Sequence, residues 1–122
     1  MSNYSEKIAI LTGDPNGIGA EITIKALNAL NLPTKDIVLI SNQKILNKYG
    51  GANLGAISNY ELISIDYDGK VEPGVISAEA GDFAFRAIEK ACEIKPKFIV
   101  TAPTSKEAMH LAGHEFNGQT EV

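Results

Sequence analysis

The 122 residues contain no tryptophan, one cysteine and two histidines. A single thiol excludes an internal disulfide, and Cys92, with no His or second Cys beside it in sequence, is expected to be a buried structural thiol. No apolar run is long enough to cross a bilayer, no signal-peptide pattern is seen, and Lys and Arg form no cluster. With 11 basic against 15 acidic side chains, the formal net charge is -4 and the pI is near 5.1. Nucleic acid and anionic membranes both reward a basic surface, so neither is expected as a partner, and the expected setting is the cytoplasm.

What the chain does have is a 44% hydrophobic share, enough at this length for one domain with its own core. Runs of branched apolar residues at 7–12, 36–41, 61–65 and 97–101 read as strands, the first and last of them buried and the first central in its sheet. Between the first two, Ile22, Ala26, Ala29 and Leu30 recur at helical spacing before Asn31 and Pro33 stop the helix. Ile45, Leu46 and Tyr49 mark a short helix closed by Gly50 and Gly51. Ser77 is placed to cap a helix from Ala78 that buries Ala80, Ala84, Ala87, Ile88, Ala91 and Cys92 and is closed by Pro96. A last helix is expected from Thr104 to Leu111, ended by Gly113. Strand and helix thus alternate four times with helix-length crossovers, which predicts an α/β fold of three layers around a mainly parallel sheet.

Ligands of such sheets gather beyond the carboxyl ends of the strands, which singles out the turns at 12–19 and 101–106. The first, Gly13-Asp14-Pro15-Asn16-Gly17-Ile18-Gly19, lacks the G-x-G-x-x-G spacing and has no Lys-Ser/Thr after its glycines. That excludes the Rossmann and P-loop readings. Its glycines could let backbone N–H groups approach an anion while Asp14 orients a substrate hydroxyl; equally, Asp14 could close a tight turn on its own backbone. In the second turn, Thr104 or Ser105 can cap a helix whose first turn carries Lys106. A cation there is unfavourable by ~0.3–1 kcal/mol unless an anion compensates. Lys106 is therefore either a phosphate or carboxylate contact or a solvated lysine balanced by Glu107. His110 and His114 have the spacing of a helical metal pair, but Gly113 intervenes and no third ligand is nearby, so no metal is assigned within the chain. Glu21 and Glu79 sit near helix starts, where carboxylates are favoured, and are read as structural.

Four segments carry a recognisable pattern: Gly13 to Glu21, Gly74 to Gly81, Val100 to Ala108, and Phe116-Asn117-Gly118-Gln119-Thr120-Glu121. In this order they resemble the motifs of the 4-hydroxythreonine-4-phosphate dehydrogenase family, over nearly the whole chain. The resemblance implies a fold similar to that of the isocitrate and isopropylmalate dehydrogenases. It also implies oxidation of 4-phosphooxy-L-threonine with NAD or NADP, assisted by a divalent metal (Zn, Mg or Co), and decarboxylation of the product in vitamin B6 biosynthesis. Family members work as homodimers and take a small phosphorylated substrate. They are considerably longer, so residues 1–122 are read as the amino-terminal α/β part of such a dehydrogenase, with the metal ligands and most cofactor contacts outside this chain and the fragment alone inactive.

Carried over by position, the family's substrate-contacting His-Thr pair falls on Gln119 and Thr120, with Lys106 as a third substrate-binding candidate; no catalytic residue is assigned. Gln119 departs from the pattern. An amide can hydrogen-bond a substrate but cannot exchange a proton near neutral pH. Two alternatives stand beside the first reading: a dehydrogenase of another phosphorylated hydroxy acid, such as a four-carbon sugar-acid phosphate, and a non-catalytic truncated α/β domain.

Overall fold

The computed structural model describes residues 4–51 and 54–114. Strand β1 (Ile8–Leu11) leads through α1 (Gly19–Leu30) to β2 (Ile37–Ser41), and α2 (Gln43–Gly50) leads to β3 (Glu61–Ser64). Helix α3 (Ala78–Ile94), β4 (Phe98–Thr101) and α4 (Lys106–Leu111) follow. The strands form one sheet in the order β3-β2-β1-β4, every pair parallel, with Ile8 opposite both Ile37 and Phe98. β1 lies inside the sheet, as its uninterrupted apolar run leads one to expect.

All five residues of β2 are buried, which requires cover on both faces. Val38 and Ile40 point into a cluster with Phe83, Ala87 and Ala91 of α3. Their neighbours Ile37 and Leu39 point the other way, onto Ile24 and Leu27 of α1. The period-2 alternation of one strand thus separates the two helical layers, and the three-layer α/β expectation holds. Phe83 is wholly buried with its ring edge-on to Tyr67 at 5.4 Å, a burial worth about 1.5–3 kcal/mol.

Helix ends follow local chemistry. Ser77 Oγ accepts from the Ala80 N–H at 3.2 Å and starts α3, while Asn42 Oδ1 accepts from the Lys44 N–H at 2.9 Å and starts α2. Asn31 and Lys95, both at φ 50°, end α1 and α3 in the left-handed conformation. Helix α4 lies on α3 where a Cβ on Gly81 would meet the Ala108 carbonyl carbon at 2.1 Å, so this contact admits only glycine.

The helix expected around Ile22 to Leu30 is present, and two expectations, for Cys92 and β4, are corrected. Helix α1 buries Ala20, Thr23, Ile24 and Leu27, whereas Ile22 and Leu30 are 49% and 63% exposed. The helix is apolar around most of its circumference, so spacing alone names no inner face. Cys92 is exposed, because the face of α3 that meets the sheet runs through Ala87, Ile88 and Ala91 and turns the next residue outward. β4 is not buried: it has one strand neighbour, and Phe98, Ile99 and Val100 stand 59%, 43% and 52% exposed. Among the described residues no helix is long and apolar enough to cross a membrane.

Candidate functional site

The order β3-β2-β1-β4 puts a topological switch point between β1 and β4. The chain leaves β1 through α1 on one face of the sheet and reaches β4 from α3 on the other. The turns after these two strands face each other across the carboxyl end of the sheet, the position where open parallel sheets hold ligands. A cleft of about 300 Å³ opens there, lined by Asp14, Asn16, Gly17, Gly74, Thr104 and Ser105 among others. A larger depression of about 620 Å³ lies against α3, but five carboxylates (Asp66, Asp68, Glu72, Glu79 and Asp82) line it beside Lys70 and Arg86. That surface disfavours an anion, so the switch-point cleft is the better site for a phosphorylated ligand.

Close backbone approach builds the cleft. Gly13, at φ +77°, leaves room for Pro103, whose carbonyl oxygen would stand 2.5 Å from a Cβ there. The Asp14 N–H points at the same oxygen from 3.5 Å. Asp14 itself is 6% exposed, and its Oδ1 accepts from the Asn16 N–H at 2.7 Å. Burial pushes its carboxyl above the usual carboxylate value, partly opposed by that backbone bond. The tight-turn reading of Asp14 is therefore what the geometry displays, in a side chain that also borders the cleft.

Asn16 ties the third wall to the first. Its Nδ2 donates to the Val75 carbonyl at 3.0 Å and to Ser77 Oγ at 3.4 Å, and its Oδ1 accepts from the Glu72 N–H at 2.8 Å. Its own carbonyl accepts from the Gly74 N–H at 2.7 Å. All these partners lie more than fifty residues away, at 72–77, so neither spacing nor composition marked Asn16 for this role; the only local signal was its place between two glycines. At the carboxyl ends of β1 and β2, Thr12 and Ser41 form a buried hydroxyl pair 2.6 Å apart.

Ser105 caps α4 by accepting from the Ala108 N–H at 3.0 Å, as one of the two expected caps. Lys106, the first residue of α4, is exposed and lines an adjoining cleft of about 330 Å³ with Glu107, Met109, His110 and His114. The structure thus places Lys106 beside the switch-point cleft rather than among its lining residues. His110 and His114 are not a helical pair, because α4 ends at Leu111 and Gly113 turns the chain at φ +93°. His114 instead meets Asp82 at 2.9 Å. Among the described residues no three His, Cys, Asp or Glu side chains converge as a metal-ligand set, so the divalent metal implied by the resemblance does not fit them. Gln119 and Thr120 lie outside the described residues.

Three of the four sequence motifs, at 13–21, 74–81 and 100–108, therefore meet at one cleft. A D-threonate 4-phosphate dehydrogenase from Salmonella typhimurium is 34% identical over 97% of this chain and 43% of its own length. A 4-hydroxythreonine-4-phosphate dehydrogenase from Synechococcus sp. (strain RCC307) is 36% identical over 94% of this chain and 38% of its own. The crystal structure of 4-hydroxythreonine-4-phosphate dehydrogenase from Klebsiella pneumoniae superposes with a TM-score of 0.81 at 33% identity, over 96% of this chain and 43% of that one. The chain thus spans less than half the length of the relatives it matches, and it shares with them the isocitrate dehydrogenase-like α/β fold. The family described as pyridoxal phosphate biosynthetic protein PdxA matches residues 6–122, and the chain belongs to that family.

Proposed function

We propose that this chain forms the amino-terminal part of an NAD(P)-dependent dehydrogenase of a phosphorylated four-carbon hydroxy acid. The observation that carries the reading is the convergence of three family motifs on the switch-point cleft, away from the acidic depression. In the reaction a secondary alcohol loses a hydride to the nicotinamide and its hydroxyl proton to a base, and the resulting β-keto acid loses carbon dioxide. No described residues form a ligand set for the metal that the resemblance implies, and the described residues contribute one wall of the pocket. Asp14 and Asn16 fix that wall, and Thr104 and Ser105 present hydroxyl-bearing residues along it.

The first substrate reading is 4-phosphooxy-L-threonine, which would place the enzyme in vitamin B6 biosynthesis. The second is D-threonate 4-phosphate, favoured by the Salmonella relative of that name, which matches 97% of the chain. The two acids differ at carbon 2, an ammonium in one and a hydroxyl in the other, so one pocket contact can discriminate them. A homodimer in the cytoplasm completes the proposal. The deciding experiment joins this chain to the family's remaining length and follows nicotinamide reduction with each acid in turn. Turnover of one acid names the substrate, and turnover of neither with NAD or NADP, in a folded protein, rejects the reading.

A further inference from the structure

Helix α4 has six residues, less than two turns, too few to hold its own direction. Its direction nonetheless places Thr104 and Ser105, which line the switch-point cleft, and Lys106, which lines the adjoining one. Midway along, Ala108 rests on Gly81 of α3, a contact with no room for a side chain on the glycine. One such contact is a pivot, which sets a distance and leaves the tilt free. A helix of this length spans about 9 Å, so a tilt of ~10° about its middle moves each end by roughly 0.8 Å, enough to stretch a hydrogen bond out of range. The tilt is fixed beyond the far end. Gly113, at φ +93°, turns the chain back, and the Gly113 and His114 N–H groups donate to the His110 and Met109 carbonyls at 2.9 and 3.0 Å. His114 Nε2 then meets Asp82 Oδ1 of α3 at 2.9 Å, with the imidazole flat on Phe85 at 6° between ring planes.

Asp82 is itself held for this contact. Arg86 Nε donates to its Oδ2 at 2.6 Å and Arg86 Nη2 donates to the Asp66 carbonyl at 2.7 Å, so the guanidinium orients the carboxylate and leaves Oδ1 for the imidazole. Although Asp82 borders the acidic depression, both of its oxygens are thus engaged. We propose that Asp82 and His114 are positioning residues for the switch-point cleft: their contact latches the end of α4 to α3, and the latch fixes where Thr104, Ser105 and Lys106 stand against a phosphorylated substrate. The latch rests on the functional reading of that cleft and adds to it two residues that touch no substrate. A wall displaced equally for substrate and transition state loses uniform binding, which raises KM and leaves kcat unchanged.

The test uses this chain joined to the family's remaining length, carrying Asp82→Ala, His114→Ala or both. His114→Ala leaves the pair of Asp82 with Arg86 intact, so its effects belong to the latch. Steady-state rates are measured with 4-phosphooxy-L-threonine and with D-threonate 4-phosphate. Amide hydrogen exchange is read at Met109, Ala112 and Gly113, with Ala87 and Ala91 of α3 as reference. Each single variant is expected to speed exchange at the first three positions at least about tenfold without changing the reference, and to raise KM at least about threefold with kcat within about twofold. The double variant should match either single one, since two residues that form one contact are lost together. Unchanged KM beside faster exchange would make the pair merely structural, a fall in kcat alone would place it with the chemistry, and additive effects would mean that the two act separately. Each of these overturns the proposal, as does exchange that is unchanged at α4 or equally accelerated in α3. Turnover of neither acid by the parent protein is the failure of the functional reading; exchange then decides the latch alone, local acceleration supporting it and its absence overturning it. Where an alanine variant does not fold, Asp82→Ser or His114→Asn, both too short to span the gap, replaces it with the same expected outcomes.

Discussion

His114 and Asp82 lie thirty-two residues apart in sequence, yet His114 Nε2 stands 2.9 Å from Asp82 Oδ1, joining the turn after α4 to the first half of α3. The imidazole stacks on Phe85 with ring centres 3.8 Å apart, and Arg86 Nε donates to the other carboxylate oxygen at 2.6 Å. One carboxylate therefore holds both its own helix and the chain just before the Gln119-Thr120 motif.

That arrangement fixes a pH dependence. Burial pushes the Asp82 carboxyl up, but the His114 and Arg86 hydrogen bonds outweigh it, so the folded value lies below the ordinary 3.8. A lowered folded value gives stability that is present above the unfolded value and lost as pH falls through the folded one. Asp82→Asn should then cost ~0.2–1 kcal/mol at neutral pH, a modest figure because the side chain is 40% exposed and solvent screens the pair. Urea midpoints of both proteins from about pH 7 down to about pH 2 check this, and the gap should close at the acid end. A gap that stays constant over that range would assign the cost to shape rather than charge.

Asn16→Ala should release the 72–77 segment. The side chain is 4% exposed and makes three part-buried hydrogen bonds to the 72–77 segment, so their loss should cost about 1 kcal/mol. Limited proteolysis should move to 72–77 as global stability falls. Undiminished resistance there would show that Gly74 and Ser77 hold the segment without Asn16.

Gly13 and Gly74 separate two costs that positive φ usually mixes. Both adopt it, at +77° and +83°, but a Cβ at Gly74 meets open space while one at Gly13 meets the Pro103 carbonyl oxygen at 2.5 Å. Gly74→Ala should cost ~1 kcal/mol of backbone strain, and Gly13→Ala about 1–3 kcal/mol more, because the turns after β1 and β4 must part. Equal losses in chemical denaturation would mean that the two turns already move freely.

Much of this fold is legible in the sequence because its signals are local. Branched apolar runs mark the strands, Ser77 and Ser105 announce their helices, and Gly50-Gly51 ends α2 as expected. The errors concern which surface meets what. Cys92 is of a residue type that is usually buried, and β4 has the composition of a buried strand, yet burial depends on neighbours that a local pattern does not contain. The two turns of the site could be located from strand ends alone, whereas Asn16 owes its role to partners at 72–77. Gln119 and Thr120 were legible only through the family pattern.

Lys106 stands at the first position of α4, exposed, with Glu107 next to it and Ser105, a lining residue of the switch-point cleft, before it. If its ammonium meets the anionic end of the substrate, Lys106→Ala in a protein carrying the family's remaining length should raise KM by the loss of a charged hydrogen bond, ~1.5–3 kcal/mol. The effect should shrink with added salt. An unchanged KM at low ionic strength would leave Lys106 as a solvated lysine balanced by Glu107.

The resemblance implies a histidine at the position of Gln119, and an imidazole offers what an amide lacks, a charge-assisted contact to an anion. Gln119→His in a protein with the family's remaining length should therefore raise kcat/KM at least severalfold, since ~1.4 kcal/mol corresponds to tenfold. If the contact is to an anion, the gain must grow as the new imidazole protonates, below about pH 6.5 for an unperturbed ring. Steady-state rates of both proteins across that range, with each of the two candidate acids, separate the outcomes. A gain confined to 4-phosphooxy-L-threonine would make the glutamine a defect in an enzyme of that substrate. Equal efficiency at every pH with that acid, alongside turnover of D-threonate 4-phosphate, would instead mean that the pocket is adapted to the sugar acid, with the amide hydrogen-bonding the substrate without a charge.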